Sequence, residues 1–156
     1  MYFISPTKGK LSFEEMMQDI INYITGLPHS SYKIIIGSDS QVKNQTCYIT
    51  AVIVHRMGKG AKYYYRKRTE PKVKSLRQKI FYETSLSLEV GGLITRYFSQ
   101  IGHMDEQVEI HIDVGKQGDT KDLIKEVVGM VTGSGFQAKI KPDAYGASSV
   151  ADKHSK

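Results

Sequence analysis

Cysteine is nearly absent. Cys47 is the only one in the chain, which excludes an internal disulfide and argues against a thiol-ligated structural zinc site. No run of apolar residues is long enough to span a bilayer. The opening residues Met1-Tyr2-Phe3-Ile4-Ser5-Pro6-Thr7 lack the basic region and apolar stretch of a secretory signal. These absences lead to the expectation of a reducing, cytoplasmic setting with no membrane partner. Neither a Walker-type phosphate loop nor a G-x-G-x-x-G fingerprint occurs. Serine and cysteine nucleophile schemes have no supporting spacing, and Cys47, inside a predicted strand, reads as a core residue. No internal repeat, low-complexity run or Pro/Gly/Ser linker divides the sequence, so its 156 residues are expected to form one domain over residues 1–156.

What is present is ordinary in amount and uneven in placement. The hydrophobic fraction is 40% and the charged fraction 24%, as in globular proteins. The net charge of +6 is concentrated: from Arg56 to Lys79 ten basic residues face the single acid Glu70, a segment charge of +9 that leaves −3 elsewhere. Such a patch raises the local density of polyanions, which makes nucleic acid the expected partner. Lys59, Lys62, Arg66, Arg68, Lys72, Lys74 and Arg77 are the candidate contacts, and a solvated face kept for solubility is the alternative. Tyr63-Tyr64-Tyr65 lies within this segment; aromatics between cations suit base stacking, although alternation on a strand turns at least one toward the core. Protein partners and oligomeric state are left open.

The periodicities give an order of elements. Ser12 and Glu15 form a capping-box pattern, and Phe13, Met16, Met17, Ile20, Ile21 and Ile24 recur at helical spacing up to Gly26-Leu27-Pro28. Lys33–Asp39 reads as a buried strand, Tyr48–His55 as a second, and Gly58-Lys59-Gly60 turns into a third, Ala61–Thr69. A helix is predicted from Ser75 to about Gln100, with Gly91-Gly92 marking a kink or a close contact. Val108, Ile110 and Ile112 alternate into a fourth strand, a helix opens at Thr120, and Phe136–Lys141 forms a fifth strand. A short terminal helix is expected from Ser148. The result is an α/β chain with a five-stranded mixed sheet, the first three strands antiparallel and two more parallel to the first through right-handed crossovers. Helices flank the sheet, with an additional N-terminal helix.

Several acids are placed for chemistry. Cleaving a phosphodiester with divalent ions needs hard oxygen ligands gathered from separate elements. Asp39 and Asp113 each follow an apolar strand near the middle of the sheet, where ligands of open α/β sheets collect; an Asp in that position also serves as a turn residue. On the long helix, Glu83 and Glu89 lie six residues apart, about 240° around the axis, so only one faces the strand acids; Glu83 is favoured. Near the carboxyl end Asp152 stands beside His154, with Asp143 as a rival. His154 is a candidate proton shuttle or a solvent-facing tail residue. His111 and Asp113 share a strand face, the placement of a metal pair, but Glu109 on the same face points to ordinary alternation.

The sequence resembles a known family. Asp39 on the first predicted strand, Glu83 on the long helix, Asp113 after the fourth strand and Asp152 at a terminal helix follow the order of the ribonuclease H-like superfamily. Val150-Ala151-Asp152 is similar to the Ala-Asp that begins the last helix of ribonucleases H. More closely, Phe3-Ile4-Ser5-Pro6-Thr7, Gly37-Ser38-Asp39-Ser40-Gln41, Ser75-Leu76-Arg77-Gln78 and Gly129–Phe136 look like the YkuK-like family of bacterial ribonuclease H-like proteins, as does the stretch Lys141–Asp152. The resemblance implies a ribonuclease H-like fold. It also implies that Asp39, Glu83, Asp113 and Asp152 would hold two divalent ions, Mg2+ or Mn2+. Water would then attack in line and leave a 3′-hydroxyl and a 5′-phosphate in RNA, an RNA–DNA hybrid or structured DNA. A binding module that keeps the fold without the chemistry is the alternative. The sequence ends four residues after Asp152, so a shorter terminal helix than in typical ribonucleases H is expected.

Overall fold

The computed structural model describes residues 1–102, 107–115, 121–141 and 143–144. Two short strands, β1 (Tyr2–Ser5) and β2 (Gly9–Ser12), open the chain and are followed by helix α1 (Phe13–Gly26). Strands β3 (Tyr32–Val42), β4 (Gln45–Arg56) and β5 (Ala61–Pro71) come next, then the 25-residue helix α2 (Leu76–Gln100). Strand β6 (Gln107–His111), helix α3 (Lys121–Gly133) and strand β7 (Gln137–Lys139) complete the described elements.

The strands form one seven-stranded sheet in the order β2-β1-β5-β4-β3-β6-β7. Strands β3, β4 and β5 are an antiparallel meander, while β6 pairs parallel to β3 and β7 parallel to β6. The five-strand expectation is corrected by the hairpin β1–β2, which pairs with the far edge through Ile4 and Tyr65. Each of its strands has four residues, too few for alternation to stand out locally. They pair with each other over four residue pairs, and β1 joins them to the sheet through β5. Asp39 also lies inside β3 rather than at its end, because β4 carries the ladder on through Ser40↔Tyr48, Gln41↔Cys47 and Val42↔Thr46.

The capping box at α1 forms as the sequence indicates: Ser12 Oγ accepts from Glu15 N at 3.1 Å and Glu15 Oε1 accepts from Ser12 N at 2.9 Å. The apolar stripe Met16, Met17, Ile20 and Ile24 then packs with Ile34, Ile36, Val52, Val54, Tyr64, Val90, Ile94 and Ile110 in the main core. Burying a side chain of this kind contributes roughly 1.5–3 kcal/mol. The opposite face of the sheet carries a smaller cluster, Ile35, Ala51 and Ile53 with Tyr63 against it. Period-two alternation along β3 therefore sends Ile34, Ile36, Ser38 and Ser40 toward α2, and Ile35, Gly37 and Asp39 to the other face. Helix α2 runs unbroken through Gly91, whose Cα hydrogens face Phe136 and Ile110: a Cβ there would stand 3.2 Å from Phe136 Cζ. No described helix is long and apolar enough to cross a membrane.

Candidate active site

The parallel register pairs Gly37 with His111. Asp39 and Asp113 each follow that last pair by two residues, and their carboxyls lie near enough for the charge of one to act on the other. Glu83 approaches from α2. It is 4% exposed and accepts a hydrogen bond of 2.6 Å from Ser40 Oγ, the residue next to Asp39. Ser38 Oγ, two residues earlier on the same face of β3, bonds Ser87 Oγ at 2.8 Å, one helical turn beyond Glu83. Two hydroxyls of β3 thus fix the helix against the strand and set the height of Glu83.

Two lysines complete the cluster. Lys79, one turn before Glu83, places Nζ 2.9 Å from Glu83 Oε2 and 4.0 Å from Asp39 Oδ1. Lys141, just past β7, places Nζ 2.7 Å from Asp113 Oδ1. Burial drives the Glu83 carboxyl up to about 7; Lys79 and Ser40 oppose the rise, and the charge of Asp39 adds to it. Asp39 is also raised, by burial and then by the neighbouring charge of Asp113, against the pull of the Ser40 N–H. For Asp113 burial acts upward, but the hydrogen bond and charge of Lys141 outweigh it and hold the carboxyl below its ordinary value. Two adjacent carboxyls whose affinities for protons are pushed apart are a mark of functional sites.

The residues named from sequence fall into distinct places. Asp39, Glu83 and Asp113 come together. Glu89 turns elsewhere and pairs with Arg66 Nη1 at 3.6 Å. Asp143 sits exposed in the turn after β7, its N–H donating to Ile140 O. Asp152 and His154 lie outside the described residues. Glu109 and His111 are buried on the second sheet face, with Glu109 bonded to Lys33 at 2.9 Å and to His111 at 3.2 Å. The basic segment is spread along β5 and beyond. Lys59 reaches Ser30 Oγ at 3.4 Å and Lys62 reaches Asp19 at 3.2 Å, at the opposite end of the strand from Lys72, Lys74 and Arg77. Arg66 and Arg68 face α2, where Arg66 meets Glu89 and Arg68 lies over the Tyr82 ring while pairing with Glu70 of its own strand, and Arg77 pairs with Glu126 at 2.6 Å.

Sequence reasoning passed over Lys79, Lys141, Ser40 and Lys67. The i,i+4 spacing of Lys79 and Glu83 was a readable signal; Lys141 had none, because its contact depends on the β6–β7 pairing. Lys67 stands in the same row as Asp39, through Asp39↔Ile49 and Ile49↔Lys67. Two strand spacings put it about 10 Å away on the same face. Past Asp39, Gln41, Lys43, Asn44, Gln45, Cys47 and Thr69 line an open cleft of about 260 Å³. Cys47 is accordingly half-buried at this cleft and not a core residue. Tyr64 is the inward tyrosine of the triplet, fully buried and donating to Asp19.

Three carboxylates from a strand, a helix and a loop are the donor types a hard divalent ion prefers, and together they outnumber the two lysines when all are ionised. In donor type and charge the set fits such an ion. The spacing belongs at present to Lys79, and no three Asp, Glu, His or Cys side chains among the described residues are grouped around one ion.

A mixed sheet with this strand order and an acid trio at β3, α2 and the end of β6 defines the class of the molecule. The model of the family described as Ribonuclease H-like matches residues 15–156, and the chain belongs to that family. A relative in Bacillus subtilis (strain 168), named Uncharacterized protein YkuK, is 37% identical over 166 aligned residues that cover 99% of this chain and 96% of the relative. The family match begins within α1, so β1 and β2 precede it, whereas the alignment with the relative takes in nearly all of the chain. Among solved structures none matches.

Proposed function

We propose that this chain is a divalent-metal-dependent nuclease that hydrolyses phosphodiester bonds in RNA, an RNA–DNA hybrid or structured DNA. The observation that carries the reading is the convergence of Asp39 and Glu83 on the one ammonium of Lys79, with Asp113 close enough for its charge to act on Asp39. Asp39, Glu83 and Asp113 would hold the ions, two of Mg2+ or Mn2+ in the family's manner, with Asp152 as a fourth ligand and His154 beside it. When bound, such ions lower the pKa of water and stabilise the charge on the departing oxygen.

The chain's own residues would supply the rest. Ser40 and Lys79 orient Glu83, and Lys141 keeps Asp113 ionised. Lys67, Lys72 and Lys74 give a cationic approach for the phosphate backbone, and the cleft past Asp39 gives room for a nucleotide. Asp39→Asn and Asp113→Asn each remove a hard ligand with little change of shape. Purified protein is to be incubated with labelled single-stranded RNA, hybrid, duplex and branched DNA in Mg2+, Mn2+ or chelator. Cleavage that needs metal and drops at least a hundredfold in both variants is the expected result.

The second reading, a nucleic-acid-binding module without chemistry, is favoured by the same two lysines, which already neutralise much of the carboxylate charge. Tight binding without cleavage in any metal, unchanged in both variants, would establish it.

A further inference from the structure

We infer that Lys79 is the resident counter-cation of the carboxylate site, and that a divalent ion has to displace its ammonium from Glu83 and Asp39 in order to be held there. The inference rests on the metal-binding part of the function proposed above and concerns how that site is controlled.

The geometry commits Lys79 to this place more firmly than its neighbour Lys141. Nζ of Lys79 lies 2.9 Å from Glu83 and 4.0 Å from Asp39, on a side chain only 22% exposed. Lys141 meets Asp113 alone and is 56% exposed. Ser40 Oγ and Lys79 Nζ also converge on the same oxygen, Glu83 Oε2, so that lone pairs an ion would need are already engaged. A divalent ion bound to oxygens at about 2.0–2.6 Å would sit within a few ångströms of the ammonium. Like charges that close repel strongly in a partly buried site. The two cations therefore exclude each other. Lysine suits a displaceable role: its charge is a single point on a four-carbon stem, free to swing, and lacks the fixed fork by which arginine grips a carboxylate. Without metal the lysine keeps three converging carboxylates from repelling one another. With metal it leaves toward solvent, and the energy of that exchange is subtracted from the affinity for the ion.

The test is calorimetric titration of Mn2+ into the full chain without nucleic acid, for the unaltered protein, Lys79→Gln and Lys79→Arg. Thermal unfolding with and without Mn2+ accompanies it. Lys79→Gln is expected to bind Mn2+ at least tenfold more tightly and to gain more melting temperature from Mn2+ than the unaltered chain. Lys79→Arg is expected to bind several-fold more weakly, a result that stands even if Lys79→Gln fails to fold without metal. Equal affinity in all three proteins, or weaker binding by Lys79→Gln, would overturn the inference and leave the nuclease reading standing. Folded protein that takes up no Mn2+ in any form would remove both.

Discussion

Ser40 Oγ and Glu83 Oε2 lie 2.6 Å apart, so one hydroxyl of β3 holds the buried carboxylate of α2 at the side of Asp39. Replacing Ser40 with Ala removes a bond to a charged group, worth about 1–3 kcal/mol net. Ser40→Ala is expected to lower stability by that amount in urea denaturation. Because Ser40 opposes the upward displacement of Glu83, the variant is also expected to need a higher pH before Glu83 ionises.

Glu83 makes stability depend on pH in a defined window. Its folded-state pKa is raised from 4.5 to about 7, so between those values the folded chain binds more protons than the unfolded one and stability falls as pH rises. Its contribution is fully present below about 4.5 and lost by the time pH passes about 7. The linkage amounts to about 3 kcal/mol. Urea denaturation of metal-free protein at pH 5 and pH 8 is expected to show this loss, and Glu83→Gln is expected to flatten the difference. Binding of a divalent ion, which needs the carboxylate form, is expected to strengthen over the same interval.

The placement of the cations predicts which of them matter for a polynucleotide. Lys67 shares a row with Asp39, whereas the turn carrying Lys59 lies beyond Ala61, six residues or about 20 Å along β5 from Lys67. Substituting Lys67, Lys72 and Lys74 by Gln is expected to weaken binding across sequences. For every phosphate that no longer meets a lysine, the slope of log affinity against log salt is expected to become shallower by about 0.7–0.9. Lys59→Gln is expected to leave the slope unchanged in fluorescence anisotropy titrations at several salt concentrations.

Gly91 and Gly92 are neighbours with opposite expectations. A Cβ at Gly91 would press on Phe136 at 3.2 Å, while one at Gly92 meets nothing within 4 Å. Gly92→Ala is expected to stabilise the chain by about 0.5–1 kcal/mol through helix propensity. Gly91→Ala is expected to lose that gain to displacement of Phe136. Thermal unfolding of the two variants separates the effects.

Much of this molecule is determined by the sequence alone, because the signals involved are local. The capping box of Ser12 and Glu15 and the stripe from Met16 to Ile24 specify α1 without reference to anything outside it. The alternating residues of β4 and β5 and the glycines between them do the same for the meander; Gly58 and Gly60 adopt φ of 75° and 101°, where a side chain is unfavourable. Asp39, Glu83 and Asp113 were recognisable as a set because their order along the chain follows the order of elements that meet in such a fold.

Tertiary structure decided what depends on pairing between distant segments. The hairpin β1–β2 becomes part of the sheet only against β5. Asp19, on the buried stripe of α1, is a buried carboxylate only because Lys8, Lys62 and Tyr64 arrive from β5 and the β1–β2 turn to bond it. Of the long basic run, Lys62 serves this structural cluster, Lys67 stands beside Asp39, and Arg66 is drawn under Glu89. Along the sequence those cations stand in a line, but strand alternation and register distribute them to two faces and two ends of a strand. Likewise Lys141, from the far side of β6, acquires Asp113 only when β6 and β7 are packed, and Lys79, already one turn from Glu83 on α2, reaches Asp39 only when α2 packs against β3. Charge near charge is a three-dimensional relation, and separation along the chain does not encode it.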